Sequence, residues 1–113
     1  MSGNIGNTFL GFDIMILTIL DAQVPPGNEA ALEEAYEAAA AGPLPTGLVR
    51  SQLLRDSRDP TRWRIQTWWA SRAALDAMRS QGTPAGVLMF RAAGAEPTLS
   101  VFEVMNELPR PAS

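Results

Sequence analysis

The hydrophobic and polar positions change period several times along the chain, and each change marks an element. Ile14-Met15-Ile16-Leu17-Thr18-Ile19-Leu20 is apolar on both alternating faces, as in a strand buried on both sides. The spacing predicts this first strand from Phe12 to about Val24, ended by Pro25-Pro26-Gly27. A helical period follows over Asn28 to about Ala41, with Leu32, Ala35, Tyr36 and Ala39 on one face and Glu29, Glu33, Glu34 and Glu37 on the rest. Asn28 or Gly27 suits the N-cap, and Gly42-Pro43 closes the helix. Gly47–Arg55 and Arg62–Trp69 read as two strands joined by the turn-rich Asp56-Ser57-Arg58-Asp59-Pro60-Thr61, an antiparallel hairpin. Ser71 caps a second helix carrying Ala74, Leu75 and Met78 on one side, and Gly82 breaks it. Thr83-Pro84 restarts a helix, with threonine as cap and proline first, and Val87, Leu88, Met89 and Phe90 make it apolar nearly all round. Gly94 ends it, and Thr98–Glu107 is the last strand, closed by Asn106.

The order strand, helix, strand, strand, helix, strand is the split βαβ, ferredoxin-like α+β arrangement, with helices on one face of a four-stranded antiparallel sheet. The expected organisation is a leader over 1–11, one domain over 12–108 and a frayed tail over 109–113.

The third strand poses the main question. Trp63, Ile65, Thr67 and Trp69 share one face, and Arg64, Gln66 and Trp68 share the other, so each face carries a tryptophan. Helices on one side cannot cover both faces. A second copy packed sheet to sheet buries the open one, so a homodimer is expected, with Trp68, Gln66 and Arg64 at its interface. Trp69 at the strand end either lines a ligand site or seals sheet against helix as core.

Composition removes several chemistries. The chain contains neither cysteine nor histidine, which excludes disulfides, thiolate catalysis and a Ser-His-Asp triad, and takes away the commonest metal ligand. The net charge is −3, and Asp56 and Asp59 interrupt the arginine-rich hairpin, which argues against nucleic acid. The acidic face of the first helix reads as a solvated surface, and no metal site is expected. Phe9–Leu20 is too short to span a bilayer, Asp13 interrupts it, and no basic segment precedes it, so a cytoplasmic protein is expected.

Four pieces, in this order and spacing, resemble the antibiotic biosynthesis monooxygenase family of the dimeric α/β-barrel superfamily. They are Val24-Pro25-Pro26-Gly27 with the acidic helix after it, Gly47 leading into the second strand, the hairpin Leu54–Trp63, and the junction Trp69-Ala70-Ser71-Arg72-Ala73-Ala74-Leu75, similar to the family's Trp-x-Ser-x-x-x-Leu. The resemblance covers about residues 12–107. It implies a dimer with a pocket between sheet and helices in each subunit, and oxidation of a quinol, anthrone or similar phenol by O2 with no cofactor, neither metal nor flavin. It also implies that Trp69 shapes that pocket as the catalytic-site residue. Tyr36, Trp63, Met78, Phe90 and Asn106 are the candidate substrate-binding residues, each with a reading as core, rim or structural hydrogen bond beside it. Two departures matter. Met78 stands about where many active members carry a histidine, and Leu17–Val24 has no asparagine, which sets haem degradation aside. The other reading is therefore a non-catalytic dimeric module that binds a small molecule.

Overall fold

A computed structural model describes residues 14–109. The expected leader, the start of the first strand at Phe12 and most of the tail lie outside the described residues. Four strands, β1 (Ile16–Gln23), β2 (Leu48–Arg55), β3 (Arg62–Trp69) and β4 (Thr98–Glu103), alternate with three helices, α1 (Glu29–Ala41), α2 (Arg72–Arg79) and α3 (Ala85–Ala92). The sheet order is β2-β3-β1-β4, and every neighbouring pair is antiparallel. This is the ferredoxin-like α+β fold. β3 has the bounds its pattern predicts. β1 and β4 are shorter than expected, and β4 stops at Glu103, so Asn106 falls in the segment beyond it.

The helices pack on one face of the sheet. On that inner face β1 contributes Ile16, Thr18, Leu20 and Ala22, which pair with Trp69, Thr67, Ile65 and Trp63 of β3. The core forms two clusters. One gathers Ala22, Val24, Leu32, Trp63, Ile65 and Phe90 with Ala93 and Ala95, and the other is Ile16, Trp69 and Leu75. Leu32 is the buried residue of α1, and Phe90 that of α3.

The outer face carries Leu17, Ile19 and Asp21 of β1, Arg64, Gln66 and Trp68 of β3, and Phe102 of β4. No described element covers it, and Phe102 is half exposed. On this face Arg64, one of the residues expected at the dimer interface, meets Asp21 of its own chain, its Nε donating to Oδ2 at 2.6 Å, while Arg62 donates to Oδ1 of the same carboxylate. The register places Asp21 opposite Arg64, within reach of both guanidiniums, so the carboxylate is paired twice and the cluster keeps a net positive charge.

Asn28 and Ser71 take the N-cap positions read for them, and only the start of α3 departs from its reading. Asn28 occupies the N-cap of α1 without a side-chain cap; its Nδ2 donates to the Ala93 carbonyl at 2.9 Å and ties the end of α3 to the start of α1. Pro84, not Thr83, is the N-cap of α3, and with no side-chain donor or acceptor there its carbonyl takes the N–H of Val87 and Leu88. Ser71 caps α2 as expected, accepting from Ala74 N–H at 3.1 Å. In the β2–β3 turn, Asp56 accepts the backbone N–H of Arg58 and Asp59, which holds its carboxyl below its ordinary pKa.

Candidate functional site

Between the inner face and the helices lies a cavity of about 650 Å³, within the range that holds drug-sized ligands. Its wall comes from every element. β1 brings Thr18 and Leu20, β3 brings Ile65, Thr67 and Trp69, α1 brings Tyr36, α2 brings Leu75 and Met78, and α3 brings Val87 and Met89. The proline-flanked Pro43-Leu44-Pro45 connection and Leu99 of β4 close the sides. Members of both core clusters thus face the same space, which is apolar over most of its surface.

A β-bulge decides what the floor displays. β2 and β3 slip register between Leu48 and Arg50, leaving Val49 without a partner. Beyond the bulge the alternation inverts: Arg50 stands opposite Trp68 and Ser51 opposite Thr67. Arg50 therefore lies over the Trp68 ring, 4.5 Å from its centroid, on the outer face. Ser51 turns inward.

Inside, six polar groups on five residues form one set joined through Thr67. The Tyr36 hydroxyl donates to Ser51 Oγ at 2.9 Å, and Ser51 Oγ is 3.2 Å from Thr67 Oγ1. Trp69 Nε1 donates to Thr18 Oγ1 at 3.1 Å, and the Thr18 hydroxyl points to the Thr67 carbonyl at 3.4 Å. Thr18 and Thr67 are buried. Four charged residues border the cavity: Arg50 of β2, whose guanidinium lies over Trp68, Arg79 at the end of α2, and Arg91, which grips Glu96 with Nε and Nη2, both at 3.0 Å. That pair lowers the Glu96 pKa through the Arg91 hydrogen bonds, so the carboxylate is already engaged.

Of the residues chosen from sequence, Trp69, Tyr36 and Met78 meet at the cavity. Trp63, Phe90 and Asn106 do not. Trp63 is buried in the first core cluster, with Arg55 5.8 Å from its ring centroid and Nε1 without a partner among the described residues. It lies at the far end of β3 from Trp69, on the order of 20 Å at the rise of a strand. Phe90 is fully buried at the back of α3. Asn106 is exposed past the end of β4, where its side chain accepts the Glu107 N–H. Thr18, Ser51 and Thr67 were missed. Thr67 shares a strand face with Trp69, which was visible; Ser51 was hidden by the bulge.

A four-stranded antiparallel sheet with helices on one face and an apolar cavity between them places the chain among the ferredoxin-like α+β proteins. The sequence profile of the antibiotic biosynthesis monooxygenases matches residues 15–83, and the chain belongs to that family. No curated protein matches it. Solved structures that share the fold include the following three. SnoaB, a cofactor-independent oxygenase from Streptomyces nogalater, is 19% identical with a TM-score of 0.64, covering 86% of this chain and 99% of its own. A proposed antibiotic biosynthesis monooxygenase from Caulobacter crescentus is 22% identical with a TM-score of 0.66, covering 84% and 93%. A conserved protein of unknown function from Bacteroides thetaiotaomicron is 23% identical with a TM-score of 0.63, covering 80% and 98%. Among the described residues no helix is long and apolar enough to cross a membrane.

Proposed function

We propose that this protein is a monooxygenase that oxidises a small aromatic quinol or polyketide-like phenol with O2, without metal or flavin, in the cavity beneath Trp69. The observation that carries the reading is the cavity itself: about 650 Å³, apolar-walled and floored by hydroxyls. Family membership and the likeness to SnoaB support it. In such a reaction the ionised substrate is the electron donor. It passes an electron to O2, a carbon–oxygen bond forms at the ring, and loss of water leaves the quinone, so one oxygen atom enters the product and the other leaves in water. The protein's part is to exclude bulk water, hold the ring against Trp69, Leu75 and Met78, and donate hydrogen bonds to the developing oxyanion.

The test is oxygen uptake with a panel of dihydroxynaphthalenes and anthrones, with and without a chelator. Catalysed uptake should survive chelation. Trp69→Phe removes the donor to Thr18 and part of the wall, and should lower kcat/KM about ten- to a hundredfold through misplaced substrate. Uptake no faster than autoxidation across the panel would favour the second reading, a non-catalytic binding module. That reading draws on Met78 at the wall and on the engagement of Glu96 by Arg91, which leaves no uncommitted carboxylate at the cavity among the described residues.

We also propose that two copies pair through the outer face, burying Leu17, Ile19, Trp68 and Phe102. Support comes from the apolar character of that face and its lack of cover among the described residues. Light scattering at micromolar concentration should give a dimer; a monomer there would refute the pairing.

A further inference from the structure

We infer that the ligand of this cavity presents a hydrogen-bond acceptor oxygen, a ring carbonyl or phenolate, to the Ser51–Thr67 hydroxyl pair, and that this pair sets its orientation. The inference rests on the cavity being the ligand site, as proposed above. It comes from counting hydrogens. Tyr36 spends its hydroxyl hydrogen on Ser51, and Trp69 spends its N–H on Thr18. Thr18 directs its own hydroxyl to the Thr67 carbonyl. Ser51 and Thr67 then hold two hydroxyl hydrogens for the single link between them. Whichever of the two donates, the other keeps an unspent O–H.

Both side chains lie on the cavity wall, and Thr67 is only 8% exposed. Water can meet that O–H while the cavity is empty of ligand. An aromatic ring system entering the cavity expels the water, and the donor must then find an acceptor on the ligand or remain unpaired. Buried donors without partners are rarer in proteins than under-used acceptor oxygens. The surplus therefore has a polarity: it favours a ligand oxygen with lone pairs over a C–H at the same place. A phenolate would gain most, since hydrogen bonds to charged groups are the stronger ones. A site that offers a hydrogen bond in this way rejects the analogue that lacks the matching group more strongly than an apolar wall can.

The probe pair is 9-fluorenone and fluorene, fused tricycles that differ by a carbonyl in place of a CH2. Equilibrium dialysis measures both dissociation constants for the full chain, for Thr67→Val and for Tyr36→Phe/Ser51→Ala/Thr67→Val, the third change being needed because loss of Ser51 Oγ would free the Tyr36 O–H. Wild type should bind the ketone more tightly. The ratio of the two constants should fall about tenfold in the triple variant, as expected for loss of one buried hydrogen bond. Thr67→Ser, which keeps the hydroxyl, should retain the wild-type ratio. Unchanged fluorene binding in the variants confirms an intact cavity. Binding of both probes with fluorene preferred in wild type, or with one ratio throughout, overturns the inference and leaves the cavity reading standing. Failure of wild type to bind either probe overturns the cavity reading and the inference together.

Discussion

Phe90→Ala should lower the unfolding free energy by about 3–5 kcal/mol, the range for removing a buried phenylalanine and leaving a void. Phe90 is 0% exposed and packs in the cluster with Val24, Leu32 and Trp63, where α3 crosses the sheet. It is not on the cavity wall. Urea denaturation should therefore show a large drop in midpoint, while the ratio of ketone to hydrocarbon binding stays at the wild-type value wherever the variant is folded. A loss below about 1.5 kcal/mol would contradict a sealed site of this kind. A changed binding ratio would return Phe90 to the ligand.

Gly47→Ala should cost about 2–5 kcal/mol, from two separable sources. Gly47 has φ +88°, a conformation that costs an L-residue on the order of 1–2 kcal/mol. A Cβ there would also sit 2.4 Å from the Cβ of Ala74 on α2, and overpacking of that kind typically costs about 1–3 kcal/mol. The close approach has a purpose in the fold, because the Gly47 carbonyl accepts the Ala70 N–H at 2.8 Å just before α2. It holds the β3–α2 junction, and with it Trp69 and Leu75, against the start of β2. Ala74→Gly in the Gly47→Ala background should recover the steric part only, after subtracting the cost of Ala74→Gly alone, about 1 kcal/mol for glycine in a helix. Full recovery would mean that the backbone conformation carries no strain, and no recovery that the contact is not the cause.

The two predictions also separate what is legible from residues alone from what is not. Phe90 reads from sequence as a candidate for the ligand because α3 is apolar nearly all round; periodicity gives such a helix no preferred face. Only the packing of α3 over β1 shows that Phe90 points into the core, while Val87 and Met89 line the cavity. Trp63 and Trp69 share a strand face, and alternation cannot say that one is sealed beside Ala22 while the other borders open space. Asn106 was placed by extending β4 to Glu107, four residues beyond its end at Glu103. Val104 N–H does bond to the Met15 carbonyl, but regular pairing ends at Glu103.

The sequence by itself determined the order of elements, the bounds of β3, the inward face of β3, the Ser71 cap and the junction at Trp69. Each depends on a local signal: a period, a turn residue, a cap. It also determined the absence of histidine and cysteine, and so which chemistries are out of reach. The tertiary structure decided the polar floor. Without the bulge at Val49, the register from Leu48 opposite Trp69 would put Arg50 inward against Thr67 and Ser51 outward against Gln66. One unpaired residue reverses that, sending a guanidinium to the outer face and a serine hydroxyl to Tyr36 and Thr67. Alternation has a period of two and carries no memory of where a strand is interrupted, so the parity of every position after Val49 is settled by pairing with β3 and not by the residues of β2.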